Sequence, residues 1–509
     1  MKEKLKAIAL IAVILAIIIY SMIRITFTVI LSGEYAWFEN VFSFMLLAGE
    51  TFILIHATGY AIDLVRANKK EESLFFLSQK FSYPPPEVAV LVAARHEPKE
   101  VLERTFRSIM NIRYTAKNVY FLDDSSLEKY KKEAEDIAAH FGLHLFRRES
   151  RHGAKAGIVN DCTRTLQEKY IVIFDADQNP MPDFLEKIVP IMEANEKLAF
   201  IQTPQFYSNI KENRIARASG YQQAVFYEYI CEAKGSSEAM FCCGTNVIFR
   251  KDALLAVGGM DETVVTEDFA TSVKFHLAGW KSLYFDHVST FGMGPETLGA
   301  YFQQQSRWAK GTVGVFRKVI QSFFKNPFKL KFSQWWEYLL SGTYYFVGIA
   351  FTLLMICPVA YLFFHVPSFF IHQDIYFSVF IPYFGLSLGV FFLTLKDRNY
   401  SVKSLFLGQM LMYITFPILI RSAVSALFGF QGTFAITQKG AGKALPYLKL
   451  WPQFTFMLLN YTALVWGMNR WYYEKDFSVL INCIWAFYHF MVMLSVFYFN
   501  VESKDDEKV

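Results

Sequence analysis

Apolar positions in this chain follow two different patterns, and the change of pattern divides it. At both ends they form long runs. In the middle they form short runs separated by mixed, charged segments. The first long run, Ala7 to Ile23, follows Lys2, Lys4 and Lys6; the second, Phe38 to Val65, stops at Arg66, Lys69 and Lys70. The loop between them, Ser32 to Trp37, has no Lys or Arg. About 20 apolar residues suffice to cross a hydrocarbon core as a helix, and basic flanks stay on the cytoplasmic side. No small-residue cleavage site follows the first run, so a retained helix is predicted rather than a signal peptide. Glu50 and His56 lie inside the second run, where ionisable groups face a bundle interior or a polar path.

Beyond Gln334 the runs return: Trp336 to Phe364, Tyr376 to Leu395, Phe454 to Val465 with flanks, and Val479 to Phe499. Ser404 to Phe428 is also apolar, but it holds Gln409 and Arg421. Lys396, Arg398 and Lys403 precede it; Lys439, Lys443 and Lys449 follow it. It reads as an amphipathic helix in the membrane interface, which keeps Gln431 to Pro446 in the cytoplasm. Six spans are predicted, two before the middle region and four after it. The tail, ESKDDEKV, ends a few residues past the last span, so no C-terminal regulatory domain is expected.

After Pro84-Pro85-Pro86 the period shortens. EVAVLVAA, VYFLDDSS and KYIVIFDAD are β-branched runs, separated by helical patterns from Pro98 to Asn111, Glu128 to Phe141 and Ala154 to Leu166. Buried strands alternating with helices mean βαβ units and a parallel sheet. Ligands of such sheets sit at the carboxyl ends of the strands. Asp123-Asp124 and Asp175-Ala176-Asp177 both fall there. The predicted organisation is two transmembrane helices over 1–70 and a cytosolic α/β domain with interface helices over 84–330. Two transmembrane helices then occupy 331–400, an interface helix and loop 401–450, and two more transmembrane helices with a short tail 451–509.

Composition agrees with a membrane protein that has a water-facing middle. The 509 residues are 53% hydrophobic and only 19% charged, below the roughly 25% of soluble domains. A net charge of +5 without a long basic run gives no reason to expect a nucleic-acid partner. Six cysteines without CxxC spacing or partner histidines argue against zinc and fit a reducing compartment.

Four features carry chemistry. Asp175 and Asp177, at a strand end, present two carboxylates that a hard divalent cation and a diphosphate could share. Lys155 opens a helix, where a cation and free N–H groups hold phosphate oxygens. Glu267 and Asp268 start another helix after Thr266. Gln304, Arg307 and Trp308 follow at i, i+3 and i+4, one helical face. A carboxylate at a helix start, with a cation and an aromatic ring on a second helix, suits proton removal beside a bound ring. Each has a plainer explanation: an acidic turn, an exposed lysine, a helix cap, a membrane-edge tryptophan with a snorkelling arginine. Their conjunction, on one α/β domain between membrane helices, is harder to explain so.

In this order the segments resemble the processive family-2 glycosyltransferases, above all the bacterial cellulose synthase-like branch. The matching stretches are DDS at Asp123, AKAG at Ala154, DADQNP at Asp175, QTPQFYSN at Gln202 and FCCGTN at Phe241. TED at Thr266, GWKSLYFD at Gly279, PETL at Pro295 and QQQSRW at Gln303 continue the series, and FAITQK at Phe434 resembles a gating loop of the form FxVTxK. The resemblance covers roughly residues 85 to 450. It implies a GT-A-like cytosolic α/β domain inserted between transmembrane helices. It further implies UDP-glucose as donor, a growing polysaccharide as acceptor, and Mg²⁺ or Mn²⁺ on Asp175 and Asp177.

Carried over by motif, Asp123 and Asp124, with Glu97 nearby, would contact the uridine end, and Lys155 would neutralise diphosphate. Asp268, beside Glu267, would be the general base. Gln304, Arg307 and Trp308 would hold diphosphate and acceptor sugar, with Cys243 and Gly244 beside the acceptor. Thr437 and Lys439 would close over the nucleotide. One departure stands out. Where the family has a tyrosine before Asn-Glu, this chain has Arg95-His96-Glu97, so Arg95 would stack on uracil through its guanidinium plane. The implied product is a β-glucan passed outward through the plasma membrane: a branched β-1,3/β-1,2 glucan of the Gram-positive capsule kind, cellulose or curdlan. Hyaluronan-, chitin- or poly-N-acetylglucosamine-type synthesis is the alternative. A lipid-linked monosaccharide transferase should lack the QxxRW helix and the gating loop.

Overall fold

The computed structural model describes residues 2–67, 84–367, 369–370, 373–396, 401–430 and 442–502. Thr437 and Lys439 therefore lie outside the described residues. The middle region holds ten strands: β1 Val88–Ala94, β2 Lys117–Asp123, β3 His144–Phe146, β4 Tyr170–Asp175 and β5 Asn179–Pro180, then β6 Leu198–Gln202, β7 Phe206–Tyr207, β8 Val247–Arg250, β9 Lys281–Tyr284 and β10 Thr290–Gly292. Seven of them make one sheet in the order β3-β2-β1-β4-β8-β6-β9, and β5-β10-β7 make a small second one.

The three apolar runs form the centre of this sheet as parallel neighbours. Both faces of β1 are covered. Val88, Val90 and Val92 join a core with Phe106, Phe121, Phe174 and Phe184, while Ala89 and Leu91 join one with Val159, Ile173, Phe249 and Phe275. Burial on both faces is why the strand reads as a continuous apolar run rather than an alternating one. The sheet is not wholly parallel: β8 runs antiparallel to β4 and to β6.

The predicted helices form at Lys99–Met110, Glu128–Phe141 and Ala154–Thr165. Glu128–Phe141 stops at Gly142, whose φ of 66° closes the helix in the left-handed conformation that glycine adopts without strain.

Among the described residues, five helices are long and apolar enough to cross a membrane: Ile8–Glu34, Trp37–Asp63, Phe332–Phe364, Asp374–Phe391 and Phe477–Phe499. Phe332–Phe364 is interrupted by a short turn, Tyr344–Phe346. Trp451–Glu474, expected as a sixth span, forms a helix and pairs with Phe477–Phe499 across a two-residue turn. It falls short on apolar content because Gln453, Asn460, Asn469, Arg470 and Glu474 lie along it. The expected interface helix is two helices, Val402–Ile414 and Phe416–Leu427, bent by 54°. Pro417 in the first turn of the second removes a backbone donor at the break.

Glu50 accepts hydrogen bonds from the Tyr20 hydroxyl at 2.9 Å and from Arg24 Nε at 3.0 Å, both on the Lys2–Ile30 helix. His56 pairs with the carbonyls of Phe52 and Leu340. Glu50 and His56 thus join helices to one another.

Candidate active site

The register of the central strands gathers the acidic clusters. Asp123 lies opposite Ala94 and Asp175 opposite Ala93, so the two clusters flank the carboxyl end of β1. The strand order turns outward in opposite directions there, with β2 and β3 on one side and β4 on the other. Such a switch point opens a crevice at the strand ends.

Lys155 reaches into this crevice from the first turn of its helix. Its ammonium pairs with Asp175 and donates to the Gly244 carbonyl at 2.7 Å. The loop ahead of it turns through two left-handed residues, Gly153 at φ 56° and Ala154 at φ 47°. For alanine that conformation costs about 1–2 kcal/mol. Arg148 holds the loop in place by donating to the carbonyls of His152 and Ala154 while pairing with Asp124.

Glu267 and Asp268 begin the Glu267–Leu277 helix. The Phe269 N–H donates to Asp268 Oδ1 at 2.7 Å. Burial pushes the Asp268 carboxyl up, helped by the adjacent Glu267 charge, to about 7. Burial raises Glu267 as well, against the pull of Lys155 and Arg307. Burial opposes the charge on Lys155, but Asp175, Glu267 and Asp268 outweigh it and hold the ammonium protonated. A carboxylate that titrates near neutrality in a crevice is suited to taking a proton from a hydroxyl.

The Leu298–Lys325 helix closes the crevice. Gln304 donates to the Tyr207 hydroxyl at 3.5 Å, and the Arg307 charge acts on both Glu267 and Asp268. Trp308, half-buried, is the next residue along. The helix approaches Thr266 at Gly311, where a Cβ would collide with the threonine side chain. Asp177 is buried, and its charge acts on the Tyr207 hydroxyl, which burial pushes up. The Cys243 N–H donates to Gln202 Oε1 at 2.8 Å, and Gly244 takes φ 83°.

The residues expected at the uridine end are placed less openly. The Glu97 carboxylate accepts the backbone N–H groups of Arg95 and His96 and so shapes its own loop. Arg95 Nε is buried with no hydrogen-bond partner among the described residues. Asp123 accepts from Arg147 Nε at 2.7 Å and from the Ser125 N–H at 3.0 Å. Asp124 accepts from Arg148 at 2.9 Å and Arg151 at 2.8 Å.

Sequence reasoning gave those three arginines no role, although RRESR at the end of β3 was a visible cationic cluster. It also passed over Thr245, whose hydroxyl accepts the Asp175 N–H at 2.9 Å, and Tyr207. Both lie in short motifs whose partners are distant in sequence.

Among the described residues no three His, Cys, Asp or Glu side chains gather as a metal cage. Asp175 and Asp177 are a two-carboxylate set of hard oxygen donors, and Asp175 already faces a positive charge in Lys155. That donor chemistry fits Mg²⁺ or Mn²⁺ when other oxygens complete the shell.

A model described as glycosyltransferase like family 2 matches residues 84–311, and one described as cellulose synthase matches 255–501. The chain belongs to the family-2 glycosyltransferases, in their cellulose synthase-like branch. The two matches overlap on the stretch that carries Glu267, Asp268, Gln304, Arg307 and Trp308.

Cellulose synthase 1 catalytic subunit (UDP-forming) of Komagataeibacter xylinus is 25% identical over 438 residues, 82% of this chain and 57% of the relative. The corresponding protein of Pseudomonas fluorescens is 24% identical over 510 residues, 94% of this chain and 65% of the relative. A UDP-forming cellulose synthase of Dictyostelium discoideum reaches 37% over 168 residues, 32% of this chain and 16% of its own length. The chain thus spans less than two thirds of the length of these relatives. In this cellulose synthase-like glycosyltransferase the mixed sheet, with its crevice at the β1–β4 switch point, is a GT-A-like fold.

Proposed function

We propose that the protein is a processive, inverting β-glucan synthase that polymerises glucose from UDP-glucose and moves the product across the membrane. The observation that carries this reading is the crevice that gathers Lys155, Asp175 and Asp268 around Gly244, where burial raises the Asp268 carboxyl to about 7. Candidate membrane-crossing helices follow the catalytic sequence directly, and the relatives are catalytic subunits named UDP-forming. The donor's uridine end lies toward Arg95, Glu97, Asp123 and Asp124. The acceptor lies between Cys243-Gly244 and the Gln304–Trp308 face.

The acceptor hydroxyl oxygen attacks the anomeric carbon of glucose, and the bond from that carbon to the diphosphate oxygen breaks. The hydroxyl proton passes to Asp268, and UDP leaves with the bonding pair. Lys155 and Arg307 offset charge on the departing diphosphate, fixed charges that need no rearrangement at the moment of reaction. When bound by Asp175 and Asp177, Mg²⁺ or Mn²⁺ would supply further charge stabilisation to the diphosphate. Trp308 gives an apolar plane for a pyranose face. The catalytic domain faces the cytoplasm, where the donor is found.

The test uses purified protein in nanodiscs with Mg²⁺ or Mn²⁺ and radiolabelled UDP-sugars offered singly, the product then being challenged with linkage-specific glucanases. High-molecular-weight product from UDP-glucose alone is expected. The digesting enzyme then distinguishes a branched β-1,3/β-1,2 capsule-type glucan, cellulose and curdlan. Polymer only from UDP-N-acetylglucosamine, or a single sugar on a lipid, would refute the proposal.

A further inference from the structure

A cleft of about 230 Å³ opens between Val264-Val265, the Leu298–Lys325 helix and the C-terminal end of the Phe416–Leu427 helix. The carboxylate site described above does not line it. One wall is a single stripe of the long helix: Lys310, Gly314, Arg317 and Gln321 recur at i, i+4, i+7 and i+11 and share a face.

Local charge is unbalanced. Lys318 is tied to Asp261 at 3.5 Å and to the Thr263 hydroxyl at 2.7 Å, and Lys274 also holds Asp261, at 3.3 Å. That acid is therefore satisfied. Lys310 and Arg317 have no ion pair or side-chain hydrogen bond among the described residues. The floor between them is open, since nothing lies within 4 Å of where a Cβ on Gly314 would stand. On the far side the Arg317 guanidinium lies against Gly429, where a Cβ would come 2.9 Å from its Nη1.

The cleft also stands beside the membrane-length helices. The Phe416–Leu427 helix begins against the first turn of Val347–Phe364, where a Cβ on Gly348 would lie 2.9 Å from the Phe416 carbonyl oxygen. At its other end Phe430, which lines the cleft, and Phe428, two residues before it, are each 71% exposed. Beyond the Leu298–Lys325 helix, Phe328 and Phe332 are 98% and 82% exposed. Aromatic rings exposed to this degree beside cations mark a surface that meets the headgroup region of a bilayer.

The geometry points to a binding site for the phosphate headgroup of an anionic lipid in this cleft, with Lys310 and Arg317 on the phosphate oxygens and Phe428 and Phe430 beside the chains. A soluble phosphate offers the same oxygens, but it has no use for the aromatic rim.

The experiment titrates delipidated full-length protein in neutral detergent with a fluorescent phosphatidylglycerol and, separately, a fluorescent phosphatidylcholine. Phosphatidylglycerol is expected to bind roughly tenfold more tightly, the scale of charge-assisted hydrogen bonds to phosphate. Lys310→Gln with Arg317→Gln removes that preference. Gly314→Leu, which fills the floor and leaves both cations, weakens phosphatidylglycerol binding, whereas Lys129→Gln on the remote Glu128–Phe141 helix leaves it intact. Should the paired variant not fold, Gly314→Leu and Arg317→Gln alone carry the test. Equal affinity for the two lipids, or a preference that survives these variants, overturns the proposal. Displacement of phosphatidylglycerol by millimolar inorganic phosphate would give the site to a soluble anion and overturn the lipid reading.

Discussion

At the scale of single residues, the strongest expectations concern Asp268. Asp268→Asn keeps the shape of the side chain and removes its capacity to accept a proton. Polymer synthesis should fall by two or more orders of magnitude, the usual contribution of a positioned base, with the circular dichroism spectrum unchanged. Synthesis at the wild-type rate would remove Asp268 from the mechanism. Its raised carboxyl also sets a pH dependence. Below about 7 the group is protonated and cannot accept, so kcat/KM should climb as pH rises through neutrality. A group whose pKa is raised on folding binds more protons in the folded state. Its contribution to stability is therefore present at acid pH and is lost as pH rises toward 7. Asp268→Asn should accordingly be no less stable than wild type at pH 8, read as Tm by scanning calorimetry. Gly244→Ala places a Cβ 2.9 Å from Asp268 Oδ2 on a backbone at φ 83°, and it should lose activity at the same centre.

At the scale of elements, the site depends on how three helices meet. His276, which burial pushes down to about 4 and so keeps neutral, hydrogen-bonds the Tyr338 hydroxyl and Ser282. It ties the helix that begins with Glu267 and Asp268 to the one that leads into the membrane-length segment. Lys234 and Glu337 add a buried ion pair at 2.9 Å, with side chains 3% and 1% exposed. Lys234→Met removes the cation facing the buried carboxylate and should cost about 3–5 kcal/mol, whereas Lys234→Met with Glu337→Leu should recover most of it. Thermal unfolding of the single and double variants decides between the two outcomes. Gly311→Ala should slow synthesis, because its Cβ would drive Thr266, and with it Glu267 and Asp268, away from Arg307. An unchanged rate would show that the two helices slide freely.

At the scale of the whole molecule, the five apolar helices make a concrete demand. The protein should remain in membranes after alkaline carbonate washing and leave them only with detergent. Recovery in the aqueous wash would contradict the reading of those helices. The bilayer imposes a strong local rule, since every backbone polar group in it must be satisfied within its own segment. That is why Ala7–Ile23, Phe38–Val65 and Val479–Phe499 could be read from hydropathy alone. Trp451–Glu474 reads as a span from its apolar stretch Phe454 to Val465, but over its whole length Asn460, Asn469 and Arg470 dilute the apolar pattern, although its partner helix is plainly apolar.

The sequence by itself determined whatever depends on local spacing. The helix from Glu128 to Phe141, the three parallel strands at the centre of the sheet, and the place of Asp123 and Asp175 at strand ends all follow from period and burial over a few residues. Tertiary structure decided what depends on distant partners. That β8 lies antiparallel against β4 rests on pairings made across more than seventy residues. The three arginines on Asp123 and Asp124 follow from which side chains the sheet edge brings together. The Asp268 carboxyl titrates near neutrality because one fold buries it beside Glu267, and a pKa is a property of that environment rather than of the residue.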